Sequence, residues 1–550
     1  MQTVVDGGSS HTRARSFVAS FALETRWATG AYWLGVTLVA LSVFVPRLLP
    51  FVDYPQHLAL ADVARRLGDP SAPEQALYVV DYFTFNGLFH LVVAALARVM
   101  PVEVAGRVVV ALTLLSSGGA VVALLRTLDR PPAYAALFTP TLLSFSIGWG
   151  FINYAFGSAI ALVTAVFVAR ALKKPSARDL ALAAALSLLC ALAHGLAMLL
   201  LCLLAASLAP ELAIASTRSP TGRLRLKDAL VRSVVGLAPL LTGCIFCLLV
   251  YRAQHARDPQ MYAAPPNDAT PNVIDKASSF LEWTVGLPED RVAKLLLLVA
   301  IVMMALIACE RLLRRRATTQ ADAPLWLPAL AATLAYFATP IVLMNTHLIF
   351  PRLTQLAVLG WILALPRVRP RIAGSVALGA LAIGVLSGVD VVARMRSFAT
   401  DTDDASRVID DAPSGRRAAA VVYGPTRTSM GQHLVHLAAY YGARKGGDWA
   451  YSFGRFSWLP VHYKQGAKLP AWPDHGWEFS PWDYDPRSAY ARSFDLLIVR
   501  APGDLPRDAT GEPQLRAMIF KEDADAVKLV SHHGEFWAFD TAGLPTDGTN

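Results

Sequence analysis

The residues able to do chemistry in this chain gather at the edges of its apolar runs. The first group is Phe51-Val52-Asp53-Tyr54-Pro55-Gln56-His57-Leu58, directly after the apolar run Ala31 to Pro50. It places a carboxylate and an imidazole four residues apart. The Pro between them can open a helix in its first turn, and Asp53 and His57 would then share a face. An ionisable pair costs free energy to hold beside a bilayer, which makes it a candidate for function. The same fragment also reads as a helix cap followed by a loop histidine.

Further polar groups stand in other short turns between apolar runs. Asn153 and Tyr154 lie in Gly148-Trp149-Gly150-Phe151-Ile152-Asn153-Tyr154, and His194 lies in Ala191-Leu192-Ala193-His194-Gly195. His347 and Arg352 lie in Asn345-Thr346-His347-Leu348-Ile349-Phe350-Pro351-Arg352. Each has an ordinary reading: Asn153 as a cap, Arg352 as a side chain snorkelling to the interface, each histidine as a satisfied turn residue. Together they form a set suited to an anionic group beside a base. Arginine matches phosphate geometry. Aspartate can take a proton from a hydroxyl or hold a divalent cation such as Mg or Mn.

The elements that must position these residues are membrane spans. The chain has 550 residues, of which 54% are hydrophobic and 17% charged, and apolar runs close to span length recur through its first two-thirds. The net charge of +9 sits in short loops between these runs, which is the positive-inside pattern rather than a nucleic-acid stripe. The five cysteines lie inside apolar runs; Cys244 and Cys247 have no second pair to complete a metal site. After Ala31–Pro50 the expected spans are Val104–Leu125, Tyr134–Gly150, Ala155–Leu172, Leu180–Ala193, Leu196–Leu212, Leu230–Tyr251, Val292–Cys309, Leu325–Met344, Leu353–Leu365 and Ile372–Val392. The apolar piece Gly87 to Met100 is short for a span. If it does not cross, the clusters at Arg126/Arg130, Lys173/Lys174/Arg178, Arg218/Arg223/Arg225/Lys227, Arg311/Arg314/Arg315/Arg316 and Arg367/Arg369/Arg371 share the side of the N-terminus. The acid-balanced loop with Asp258, Asp268, Asp275, Glu282, Glu289 and Asp290 then faces the other side.

The charge rule thus predicts an α-helical polytopic protein of about eleven spans, N-terminus in and C-terminus out. Residues 1–30 form a cytoplasmic segment, 31–392 the membrane domain with its long first outer loop 51–103, and 393–550 a small α/β domain on the outer face. There Ala418–Tyr423 and Phe494–Arg500 read as strands, Ser429–Ala443 as a helix and Ala526–Phe539 as a hairpin. The aromatic stretch with Trp449, Trp458, Trp472, Trp477 and Trp482 suits stacking on sugar rings, an interface belt, or packing over the spans.

This arrangement resembles the GT-C membrane glycosyltransferases: a basic N-terminus, one span, then an acidic residue heading a long outer loop with amphipathic helices. That superfamily includes oligosaccharyltransferases, protein O-mannosyltransferases and lipid A aminoarabinose transferases. The resemblance rests on Asp53 in Val52-Asp53-Tyr54-Pro55-Gln56-His57, the amphipathic piece Gln56–Leu67 and Arg352 before a late span. It implies a polyprenyl-phosphate-linked sugar as donor, a glycan, lipid or protein as acceptor, and a bacterial inner (cytoplasmic) membrane with a periplasmic C-terminus. It assigns Asp53 as catalytic base, or metal ligand if a metal is used, with His57 beside it. Arg352 becomes a donor-phosphate contact; from their place on the same face, His347 and His194 are expected to join it there, and Tyr54, Asn153 and Tyr154 to contact substrate. Two departures stand out. The next outer loop offers Asn153 where the family often has a second acid. Asp81-Tyr82-Phe83-Thr84-Phe85-Asn86 replaces a Lys-Pro-Pro-like motif. A transporter or flippase of a lipid-linked anion, and a non-catalytic cell-envelope scaffold, remain as rival readings.

Overall fold

A computed structural model describes residues 26–217, 225–259, 270–285, 291–312, 325–343, 346–368, 370–424, 434–469, 471–473, 476–501, 505 and 511–544. Residues 1–25, Arg218, Arg223, Asp268, Glu289, Asp290, Arg314–Arg316, Asn345, Arg369 and the first part of the expected helix 429–443 lie outside the described residues. The chain is mostly helical. Residues 26–42 form α1, followed by α2 (Tyr54–Arg66), β1 (Tyr78–Val80), α3 (Gly87–Leu96), α4 (Val102–Thr127) and the short α5 (Phe145–Gly148). Then come α6 (Ile152–Lys173), α7 (Ala177–Ala193), α8 (Gly195–Thr217), α9 (Leu226–Leu237), α10 (Leu241–Arg257), α11 (Val273–Ser278), α12 (Phe280–Val285) and α13 (Arg291–Leu312). The helix α14 (Trp326–Ala338), the hairpin β2 (Val342–Leu343) and β3 (Thr346–His347), α15 (Thr354–Ala364) and α16 (Pro370–Asp411) complete the apolar part.

Among the described residues, six helices are long and apolar enough to cross a membrane: α4, α6, α8, α9 with α10, α13 and α16. In lipid a backbone must satisfy its own hydrogen bonds, which is why these runs fold as helices. The helix α3 has ten residues, about 15 Å, or half the hydrocarbon thickness. One expected span is corrected: residues 134–150 do not form a continuous helix. Pro132–Thr141 winds as 3-10 turns, and α5 is a single turn. Pro140, inside this stretch, lacks an N–H and crowds the preceding turn, which disfavours a continuous α-helix there. Residues 133–141 are all buried, the setting in which irregular backbone is tolerated at membrane depth.

The membrane helices meet through small residues. A Cβ on Gly35 of α1 would sit 2.1 Å from the Gly384 carbonyl oxygen of α16, and Gly388 lies against Gly35 one turn on. Backbones approach this closely only where side chains are absent.

The helix α16 has 42 residues and is about 63 Å long, roughly twice the hydrocarbon thickness. The change of composition at Ala393 therefore falls inside one helix, whose far half carries the C-terminal sheet. That sheet has the order β4 (Ala418–Val422), β6 (Leu496–Arg500), β8 (Phe536–Asp540), β7 (Lys528–His533); β4 and β6 are parallel and the other pairs antiparallel. Between β4 and β6 come α17 (Leu437–Lys445) and β5 (Val461–Tyr463), and α18 (Glu512–Phe520) follows β6. Alternation splits the sheet's two faces. Ala418, Ala420, Leu496, Ile498 and Phe536 join the same continuous core as the membrane helices. Ala419, Val421, Leu497, Val499 and Trp537 build a second core that includes Leu515 and Ile519 of α18.

The first loop is woven into this region. β1 pairs with β5, from Tyr78 opposite Tyr463 to Val80 opposite Val461, and α17 packs on α2. Ten of the thirteen residues of α2 are consequently buried, the polar Gln56, His57 and Asp62 among them. The expected amphipathic helix is an interior one. Asp62 is held by Arg65 and Arg66, and Arg66 reaches on to Glu74 and the Gly442 carbonyl.

Replacing Gly35 by Leu is expected to separate α1 from α16 at a cost of roughly 1–3 kcal/mol, the range for overpacking. The measurement is the thermal midpoint of the detergent-purified protein, which should fall by several degrees; an unchanged midpoint refutes the tight crossing.

Candidate functional site

Asp53 is fixed through its backbone. Val52 N–H donates to the Gly148 carbonyl at 3.2 Å and Asp53 N–H to the Trp149 carbonyl at 3.0 Å. The turn that offers these carbonyls closes at Gly150, with φ +88°; a Cβ there would meet the Asp53 nitrogen at 2.3 Å. Only glycine combines that conformation with that contact. Asp53 stands at the N-cap of α2, yet its carboxylate makes no capping hydrogen bond. The backbone is the cap and the side chain is engaged elsewhere.

The Asp53 partner is His436, 383 residues away. His436 Nε2 lies 3.3 Å from Asp53 Oδ1, and its Nδ1 contacts Glu478 Oε1. Gln56 braces this group from α2. Its Oε1 accepts from Trp449 Nε1 at 2.7 Å and from the Phe453 N–H at 3.1 Å, which orients the amide. Its Nε2 then donates to the Tyr451 carbonyl at 3.1 Å and lies 3.1 Å from His436 Nδ1. Burial opposes a charge on His436. The Glu478 carboxylate outweighs that penalty, aided by the hydrogen bond to Asp53, and lifts the imidazole to about 10. Glu478 is itself pushed up by burial and pulled partly back by His436.

His57 does not touch Asp53 through its ring. Its Nδ1 pairs with His90 Nε2 at 3.2 Å, and His90 Nδ1 faces the Asn86 carbonyl at 2.9 Å. That carbonyl assigns the proton to His90 Nδ1, so His90 Nε2 accepts from His57 Nδ1–H, leaving His57 Nε2 as an acceptor. Burial, reinforced by the neighbouring imidazoles, holds His57 well below the ordinary histidine value and hence neutral.

Arg352 is 5% exposed. Its guanidinium lies 3.7 Å over the Phe151 ring and 5.6 Å from the Tyr154 ring centroid. Its Nε donates to the Leu348 carbonyl at 3.2 Å and its Nη2 to the His347 carbonyl at 3.0 Å. Among the described residues no carboxylate lies within ion-pair distance of it. Tyr154 hydroxyl donates to the Arg352 carbonyl at 2.7 Å, tying α6 to this turn. The remaining pieces are His194, whose Nδ1 accepts from the Leu196 N–H at 3.1 Å, and Asn153, buried with its Oδ1 unpartnered.

A cavity of about 520 Å³ joins these groups. Asp53, His57, Asn153, Tyr154, His194 and Arg352 line it from the turns and helix ends. Met198, Leu199 and Cys202 of α8, with Cys244, Leu248 and Tyr251 of α10, form an apolar wall one to two helical turns away. Phe453, Phe456 and Trp458 of the C-terminal region close it over. Six of the eight sequence-predicted residues thus meet in one space. Tyr54 does not: its ring packs toward Gly106 of α4 and Tyr440. His347 is also outside the lining and contributes its carbonyl to Arg352. His436, Glu478 and His90 were missed. A lone histidine in the apolar run Gly87–Met100 was a readable signal for His90; no spacing connects residue 436 with residue 53.

The donor set does not suit a divalent metal. One oxygen each of Asp53 and Glu478 contacts His436, and among the described residues no group of three His, Cys, Asp or Glu side chains could hold an ion. The chain matches no protein-family model and no curated protein.

A buried histidine raised from an ordinary value near 6.5 to about 10 stabilises the fold below pH 6.5 and loses that contribution as pH rises through about 10. The thermal midpoint of wild type minus that of His436→Gln should therefore be largest near pH 6.5 and shrink progressively as pH rises from there to about 10. A difference independent of pH refutes the charged pairing.

Proposed function

We propose that the protein is a membrane glycosyltransferase of the GT-C type, moving a sugar from a polyprenyl-phosphate donor to an acceptor hydroxyl on the outer face of the membrane. The observation that carries this reading is the composition of one cavity. It joins a carboxylate with an oxygen unengaged among the described residues, a buried guanidinium with no carboxylate partner among them, and an apolar wall along two membrane helices. An amphiphile with an anionic head and a hydrocarbon tail complements all three, and the volume lies in the usual range for ligand sites.

In this reading Asp53 Oδ2 takes the proton of the acceptor hydroxyl as its oxygen attacks the anomeric carbon. The bond between that carbon and the phosphate oxygen breaks, and its electron pair leaves with the polyprenyl phosphate. Arg352 offsets the charge on the departing phosphate, in a setting where low dielectric strengthens the contact. His57, neutral and with Nε2 as acceptor, and the unpartnered Asn153 Oδ1 serve to orient sugar hydroxyls.

The sidedness is supported by α6. It begins beside the cavity at Asn153 and ends at Lys173, which bonds the Thr127 carbonyl near Arg126, while Arg367 bonds the Asp129 carbonyl. Its 22 residues span about 33 Å, so the cavity and a basic cluster stand at opposite ends of a membrane-thick helix. By the positive-inside rule the cavity faces out.

Asp53→Asn is expected to lower transfer by about 10²–10⁴-fold, the usual worth of a general base, with expression and thermal midpoint preserved. Mass spectrometry of the lipid-linked sugar pool and the envelope glycans in membranes carrying either form checks it. A lipid-linked sugar should accumulate, or one glycan lose a residue, and the mass difference names the sugar. Unchanged pools beside a folded Asp53→Asn protein sink the reading.

A further inference from the structure

Both ring nitrogens of His436 face carboxylate oxygens, Asp53 Oδ1 at 3.3 Å and Glu478 Oε1 in contact. A neutral imidazole has one N–H and can donate to one of them, whereas the doubly protonated ring donates to both; Gln56 Nε2, 3.1 Å from the same Nδ1, donates to the Tyr451 carbonyl. The side chain is 4% exposed, and its own carboxylate, Glu478, lies behind it. The cation is therefore built in, with its counter-charge supplied by the same C-terminal region. A divalent ion beside Asp53 would stand next to the positive charge of His436.

We propose that His436, delivered by the C-terminal region and held from behind by Glu478, is the resident cation of this site and the positioning residue of Asp53, in the place a divalent metal would otherwise take. Under the transferase reading, on which the catalytic part of this inference rests, the transfer is metal-independent and the C-terminal region is a component of the active site. His436 fixes Asp53 Oδ1, so that Oδ2 is the oxygen left for the acceptor. The charged and titratable groups around His436 are Asp53 and His57 on α2 and Glu478 on its own side, with His90, His194 and Arg352 beyond them.

The test uses the full-length protein in lipid nanodiscs with nitrogen-labelled histidine, the His436 signal being assigned by its loss in His436→Gln or its shift in Glu478→Gln. At about pH 8, above the ordinary histidine value of about 6.5, His436 is expected to carry two protons. Its signal should stay sharp when Mn²⁺ is added in excess. Glu478→Gln is expected to return it to one proton at the same pH. A singly protonated His436 in wild type, or broadening of its signal by Mn²⁺, overturns the proposal.

These readings need no substrate, so they stand or fall separately from the transferase assignment. In a transfer assay, wild type treated with EDTA should keep its activity within about twofold. His436→Gln should lose about 100-fold in kcat, while the KM for the lipid donor, set by Arg352, stays within about threefold. A loss under EDTA that Mg²⁺ or Mn²⁺ restores, or a rise in KM with kcat intact, counts against the proposal.

Discussion

Everything in this structure follows from the burial of one polar helix. α2 carries Asp53 at its cap and Gln56, His57 and Asp62 within it, all removed from water. A buried polar group without a partner costs on the order of 1–3 kcal/mol, and a charge more. Four such side chains could not be held on a ten-ångström-wide helix unless neighbouring elements were committed to them. Trp449, Tyr451, Phe453 and His436, the last backed by Glu478, meet Gln56 and Asp53 from the C-terminal side; His90 meets His57 from α3. The docking of the C-terminal region is thus dictated by hydrogen-bond satisfaction as much as by apolar area.

The same constraint explains how the cavity can be polar at one end and apolar along its wall. Turns and helix ends present the polar groups, because there the backbone already leaves donors and acceptors that need partners. Helix interiors present Leu, Met and Cys, since they must lie against lipid or one another. A ligand that fits must carry both characters, with its charge at the turns.

Much of this was legible in the sequence because local rules govern it. The long apolar helices follow from runs of apolar residues, and Asp53, Asn153, His194 and Arg352, each read in a turn at the edge of such a run, line one cavity. The break in residues 134–150 has one local sign, Pro140, whose missing N–H disfavours a continuous helix there. The strands at 418–423 and 494–500 were read from β-branched and aromatic runs. What stayed hidden is long-range. Nothing at positions 429–443 marks His436 as a partner of Asp53, because the contact is made by tertiary docking and leaves no periodicity. Tyr54 was misplaced for a related reason. It follows Asp53 directly, and neighbours on a helix point about 100° apart, which sends its ring to α4.

The length of α16 has one mechanical consequence. It crosses α1 at Gly384 and continues without interruption to Asp411, about 40 Å further on. The far half packs on β7 and β8, so the sheet rides on a stiff rod rather than a linker. A rod of that length is a lever. A change in its inclination of about 5° at the crossing displaces its tip by about 3.5 Å, as much as the whole separation of a hydrogen-bonded pair. Since transmembrane helices adjust their tilt to the thickness of the lipid around them, bilayer thickness becomes a coordinate of the gap between residue 436 and residue 53.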